Sequence, residues 1–278
     1  MTNHVTDKVI IVTGAAGGFG RLISEKAADM GACVMCADIN GDELDNTTQR
    51  IASSGRSVEC LVTDVARLEQ MTALAQRTID QFGRIDVMVN NAGIMPLAFY
   101  SDHAKAASAW DRCIDINIKG VLNGIIAVYD QMIQQGRGHI VNLSSIYGNY
   151  PVVGAGVYGA TKAAVNTLSE SLRVESQGKI KVTIIKPTGV PGTELSSGIV
   201  NPGAIVGILG QNTADYLQKM TAHMAGELPT EKTDPNSVEY YALDPEHVAD
   251  QILYAINQPW GVSVGDLTIR ASGDAYIL

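Results

Sequence analysis

Apolar residues fall along this chain in two alternating rhythms. Continuous, largely β-branched runs occur at Val9–Thr13, Ala32–Ala37, Val58–Val62, Val87–Val89, His139–Leu143 and Val182–Ile185. Runs without polar alternation suit strands buried on both faces of a parallel sheet. Between them lie segments with helical spacing. Phe19–Met30 carries Leu22, Ile23, Ala27 and Met30 on one side, and Gly41–Ser53, Leu68–Phe82, Ala104–Gln135 and Ala155–Ser176 follow. A last helix is expected at Pro245–Asn257 and a last strand at Asp266–Ala271. This alternation predicts an α/β fold. It is a Rossmann-type, doubly wound parallel sheet of about seven strands, flanked by helices and built with right-handed crossovers. In such a sheet ligands sit at the carboxyl ends of the strands.

The rhythm breaks once, over Thr193–Leu243, where only a short helix at Thr213–Ala225 is expected. A long insertion hanging from a strand end reads as a substrate lid. The chain otherwise reads as one domain over residues 1–278, with 193–243 as an insertion within it.

Composition narrows the partners. The net charge is −9, and aromatic residues make up 5% of the chain. Acidic charge argues against duplex nucleic acid and anionic membranes, which attract basic surfaces. No apolar run approaches the roughly 18 residues of a membrane-spanning helix. The first apolar stretch, Val9–Val12, is too short for a signal-peptide core, so a cytoplasmic location is expected. Cys33-Val-Met-Cys36 has C-x-x-C form. On a strand, however, residues three apart point to opposite faces. No second Cys pair or nearby His completes a ligand set, and no metal is expected.

Chemistry is concentrated at the strand ends. Thr13-Gly14-Ala15-Ala16-Gly17-Gly18-Phe19-Gly20 follows the first strand and opens a helix. Glycines there permit close backbone approach, and the helix N-terminus can meet a pyrophosphate. There is no Gly-Lys-Ser/Thr of a P-loop. Asp38 ends the second strand, where a carboxylate accepts ribose hydroxyls and repels a 2′-phosphate. Its neighbours Ile39 and Asn40 carry no positive charge, so NAD is favoured over NADP. Asp38 can also cap the following helix.

Tyr158-Gly-Ala-Thr-Lys162 places a phenol and an ammonium at i,i+4 on one helix. A neighbouring cation favours the phenolate, lowering the pKa toward the range useful for a base. Asn142-Leu143-Ser144-Ser145-Ile146-Tyr147-Gly148 brings hydroxyls to the end of the fifth strand. Asn90-Asn91-Ala92-Gly93 forms a turn on the same rim. Asn117, polar within an apolar helix, reads either as a buried structural residue or as a local break that holds a water.

In order and spacing these motifs resemble the short-chain dehydrogenase/reductase family, from Asp7 to about Ser272. The resemblance implies a role for each matched residue. Tyr158 is the general acid/base on the substrate oxygen, and Lys162 lowers its pKa and binds the nicotinamide ribose. Ser145, rather than Ser144, is the family serine, and Asn117 holds the water of a proton relay. Asp64 and Val65 meet adenine, while Asn91, Ala92 and Gly93 line the adenosine ribose. Pro187, Val190 and Thr193 approach the nicotinamide carboxamide. Thr193 falls six residues after Pro187, one more than the family usually shows. The matching helices of the family form a dimer face, often within a tetramer.

The expected activity is an NAD-dependent oxidation of a secondary alcohol to its ketone. The alternatives are an isomerase or dehydratase that retains its NAD, and a non-catalytic dinucleotide-binding sensor. Around the reacting end the sequence sets Met95, Pro96, Leu97, Tyr147 and Tyr150. The lid adds Ile199, Val200, Ile205, Val206, Ile208, Leu209, Tyr216, Leu217, Met220 and Met224. The lid has no Arg, and its Lys219 and Lys232 lie far from Thr193. An uncharged cyclic or aryl substrate is therefore expected, since an anion would call for Arg, Lys or a helix N-terminus.

Overall fold

A computed structural model describes residues 2–191 and 193–277. Its strands are β1 (Val9–Thr13), β2 (Cys33–Asp38), β3 (Val58–Val62), β4 (Val87–Asn90), β5 (Gly138–Leu143), β6 (Ile180–Pro187) and β7 (Asp266–Ile269). All seven pair in parallel in one sheet, in the order β3-β2-β1-β4-β5-β6-β7. The order reverses between β1 and β4. Their carboxyl ends therefore open the crevice in which doubly wound sheets hold ligands.

Helices cover both faces. They are α1 (Gly18–Asp29), α2 (Gly41–Ser53), α3 (Leu68–Phe82), α4 (His103–Ile114), α5 (Gly120–Gln135), α6 (Gly156–Glu175), α7 (Val206–Leu209), α8 (Thr213–Ala225), α9 (Thr230–Thr233) and α10 (Pro245–Ile256). Successive strand residues point to opposite faces. Ile10, Val12, Val34 and Cys36 accordingly pack with Ile23, Leu44 and Ile252 of α1, α2 and α10. Ile11, Met35, Ala37 and Met88 pack with Leu74, Val128 and Val165 of α3, α5 and α6. Cys36 thus lies in one layer while Cys33, two residues before Met35, belongs to the other face. Among the described residues no helix is long and apolar enough to cross a membrane.

The expected single helix over Ala104–Gln135 is divided. A π-helical turn, Asp115–Lys119, separates α4 from α5, and the Gly120 N–H bonds back five residues to the Asp115 carbonyl. The cause is Asn117, fully buried and turned inward to bond the loop after β4. Strand β6 runs longer than Val182–Ile185 because β5 and β7 flank it. Lys181 is accommodated there by donating to the Pro259 and Val262 carbonyls. Strand β7 stops at Ile269, where Arg270 pairs with Asp274 at 2.6 Å across the following turn.

Candidate active site

The Gly-rich turn is clamped from below. Ala15 N–H donates to the Ala37 carbonyl at 3.1 Å, and Thr13 Oγ1 accepts from the N–H groups of Asn91 and Ala92. Asn91 Nδ2 donates to the Thr13 carbonyl at 2.8 Å, which ties the exit of β4 to the exit of β1. Gly20 lies so close to the Gly14 carbonyl that a Cβ would overlap it. That contact seats α1 on the turn and aims its free N–H groups into the crevice.

Glu194 and Thr193 stand near this turn. A Cβ built on Gly17 would lie 3.8 Å from the Glu194 carboxyl carbon, and one on Gly18 would lie 3.9 Å from Thr193 Cβ. Gly17 is the N-cap of α1 and offers no side-chain cap. With no side chain at Gly17, Gly18 or Gly20, the backbone N–H groups at the start of α1 are open to close approach, which fits a pyrophosphate. Thr193 therefore stands beside Gly18, with Oγ1 on the Val190 carbonyl at 3.3 Å. Pro187 is buried, and Val190 packs against the core below α1. Phe19 joins the same cluster.

Asp38 is held in place by two backbone donors. Oδ2 accepts from Ala16 N–H at 3.0 Å and Oδ1 from Asn40 N–H at 3.0 Å. The N-cap of α2 is Asn40, not Asp38. Ile39 is exposed beside it. A basic residue missed by inspection of the strand end does reach this turn: the Arg21 guanidinium donates to the Ala16 carbonyl. It is already engaged, by Glu43 at 2.8 Å and Thr47 at 3.0 Å. Asp64 accepts from Ala66 N–H, and Val65 packs under Gly120 with its carbonyl on Asn123 Nδ2.

Helix α6 carries Tyr158 and Lys162, both almost fully buried. Lys162 Nζ donates to the Leu143 carbonyl at 2.8 Å and lies 5.8 Å from the Tyr158 ring centroid. Ser144 turns its hydroxyl away, onto the Lys162 carbonyl. Ser145 caps the next turn by accepting from Tyr147 N–H, and its hydroxyl also interacts with the Tyr158 phenol. Tyr147 stands edge-on to Tyr158 at 5.5 Å. Asn117 Oδ1 accepts from Ile94 N–H at 3.0 Å, and Nδ2 donates to the Ile94 carbonyl and to Thr161 Oγ1. Gly93 lies between Asn117 and Lys162. Asn142, Asn90 and Ser169 continue this buried polar layer.

The titration state differs from the sequence expectation. Burial raises the Tyr158 phenol above its ordinary pKa, and the Ser145 interaction only partly offsets this. Burial also pulls Lys162 down to about 8, with no carboxylate nearby to hold its charge. Adjacent placement on a helix therefore does not by itself give a phenolate, because desolvation acts on both groups.

The expected lining residues differ in burial. Tyr150, Val206, Leu217 and Met224 are exposed, whereas Leu97, Ile208 and Leu209 are buried around Tyr147 and Tyr158.

Residues 8–202 match the sequence model described as short chain dehydrogenase. An uncharacterised oxidoreductase of Staphylococcus saprophyticus is 33% identical over 273 residues, covering 98% of this chain and 99% of that protein. The solved structure of a short-chain dehydrogenase/reductase from Burkholderia phymatum in complex with NAD superposes with a TM-score of 0.75 at 25% identity, over 96% of this chain and 90% of that one. An alcohol dehydrogenase of Thermococcus sibiricus, complexed with 5-hydroxy-NADP, shares the fold at a TM-score of 0.76 and 20% identity, over 96% and 97%.

Proposed function

We propose, for a chain that belongs to the short-chain dehydrogenase family, the activity of an NAD-dependent secondary-alcohol dehydrogenase. The observation that carries this reading is the convergence of Ser145, Tyr158 and Lys162 at the crevice where the Gly-rich turn presents the start of α1. A binding module needs no such hydroxyl pair.

Gly14, Gly17, Gly18, Phe19 and Gly20 would hold the pyrophosphate, and Asp38 with Ile39 the adenosine ribose. Asp64 and Val65 would meet adenine, Asn91 to Gly93 the ribose side, and Pro187, Val190 and Thr193 the far end. Bound there, the oxidised dinucleotide supplies the hydride acceptor and a positive charge. Ser145 orients the substrate oxygen. Tyr158 exchanges the proton at that oxygen: as a phenol it gives one to a ketone, and as a phenolate it takes one from an alcohol. Lys162 favours the phenolate when charged, and Asn117 fixes the Ile94 loop and α6 around the pair.

NAD is favoured because Asp38 is rigidly placed and Arg21 is spent on Glu43 and Thr47. A neutral, cyclic or aryl substrate is favoured because the residues packed beside Tyr158 are Tyr147, Leu97, Ile208 and Leu209. Residues 193–243 serve as the lid of one catalytic domain, and the setting is cytoplasmic. Leu122 and Ile126, exposed one turn apart on α5, support a homodimer or homotetramer. The test is NADH formation over a panel of cyclic, terpenoid, steroid and aryl alcohols, each run with NAD and NADP. Turnover of a neutral alcohol with NAD supports the reading; a tenfold or greater preference for a hydroxy acid of similar size contradicts the neutral substrate and leaves the dehydrogenase activity standing.

A further inference from the structure

The last residues of the described chain do not trail into solvent. They run back onto the 193–243 insertion. Ile277 N–H donates to the Ile208 carbonyl at 3.1 Å, and Asn212 Nδ2 donates to the Ala275 carbonyl at 2.9 Å. The Asp274 side chain is buried and clamped by Arg270, which also donates to the Tyr276 carbonyl. These bonds thrust the Tyr276 side chain inward.

Its phenol ends on Gly189, in the loop that follows β6. A Cβ at Gly189 would overlap the Tyr276 hydroxyl, so any larger residue here must push the Tyr276 ring aside. The backbone of Gly189 is not in the left-handed region, and the contact alone accounts for the residue. On its other side the Tyr276 ring meets Tyr216 of α8 at 6.0 Å between centroids. Partly buried, it packs against the cluster that contains Tyr147 and Tyr158. Gly189, Pro191, Tyr216, Met220 and Tyr241 line the small cleft beside it. Asp274, the one charged residue among the described residues at that cleft, is paired with Arg270.

We infer that Tyr276 is the specificity-determining wall of the substrate pocket, closing the space between Tyr147 and α8 so that neutral alcohols up to a single ring are accepted and fused-ring ones refused. This rests on the dehydrogenase reading above. A filled apolar wall discriminates by overlap with the larger molecule, and removal of the ring opens that volume.

The experiment compares 2-butanol with 1-(2-naphthyl)ethanol as substrates for the whole protein with NAD. In Tyr276→Ala the ratio of kcat/KM, naphthyl over butyl, should rise at least about tenfold. Gly189→Ala, which places a methyl where the phenol sits, should shift the ratio in the same direction and add nothing to Tyr276→Ala. An unchanged ratio in Tyr276→Ala, or a parallel fall for both alcohols, overturns the proposal. Binding of 2-acetonaphthone by equilibrium dialysis reads the wall without turnover. Affinity should rise at least about tenfold in Tyr276→Ala, and equal affinity overturns the proposal. If no alcohol is turned over by the unmodified protein, the dehydrogenase reading falls by itself, and the dialysis result still decides the role of Tyr276.

Discussion

The Glu194 carboxylate lies over Gly17, at the start of α1, with its carboxyl carbon 3.8 Å from where a Cβ on Gly17 would stand. A carboxylate there gains from the unpaired N–H groups and the positive end of the helix dipole. In the proposed reading a pyrophosphate uses the same groups, and the Glu194 charge opposes it.

Glu194→Gln should therefore bind the dinucleotide more tightly. A surface carboxylate at a helix start is stabilised by about 0.3–1 kcal/mol, which converts to roughly two- to fivefold in affinity. Titration calorimetry with NAD checks this. Unchanged or weaker binding would show that Glu194 assists the dinucleotide instead.

Cofactor choice should follow Asp38, Arg21 and Glu43 together. The unmodified protein should prefer NAD over NADP by at least about 10²-fold in kcat/KM, through repulsion of the 2′-phosphate and lost ribose bonds. Glu43→Ala frees the Arg21 guanidinium from its 2.8 Å partner and should narrow the gap several-fold toward NADP. Steady-state kinetics with both cofactors decide; equal use of both by the unmodified protein refutes the role of Asp38.

Lys162 should leave a signature in stability. Its pKa lies at about 8 in the folded chain, below the ordinary 10.5, because burial disfavours the charge. Between these values the unfolded chain holds more protons, so stability rises with pH across that window. Below pH 8 the full penalty of the buried ammonium is present, on the order of 3 kcal/mol, offset by about 1 kcal/mol for its bond to the Leu143 carbonyl. Lys162→Met should accordingly be more stable than the unmodified chain at pH 7, and that advantage should shrink as pH rises from 8 to 10.5. Urea unfolding at both ends of the window measures it. An equal loss of stability at both pH values would mean that burial does not depress Lys162.

The sheet was legible because buried parallel strands write themselves as unbroken apolar runs, and Gly14–Gly20 and Asp38 are set by local geometry at a strand end. That Asn117 would be buried and partnered was legible, since an amide within an apolar helix must find partners inside, but that this would divide Ala104–Gln135 into two helices was only one of two open readings. Glu194, Tyr276 and Arg21 were not legible. Each acts through a contact with a segment remote in sequence, and none belongs to a periodic pattern. Spacing placed Tyr158 beside Lys162 but carried no information on how deeply both would be buried, so the direction of the Tyr158 shift was missed. Leu217 and Met224 were expected to line the pocket and are exposed, because α8 packs through only part of its surface.

The most direct test of the account is the Tyr158→Phe variant, assayed with NAD and the best alcohol of the panel while NAD affinity is measured in parallel. The hydroxyl is the only group removed, and its ring contact with Tyr147 is kept. The account predicts NAD affinity within about twofold of the unmodified protein and turnover lower by at least about 10²-fold, the scale of acid/base catalysis. Turnover retained within a few-fold would remove Tyr158 from the chemistry and contradict the central claim.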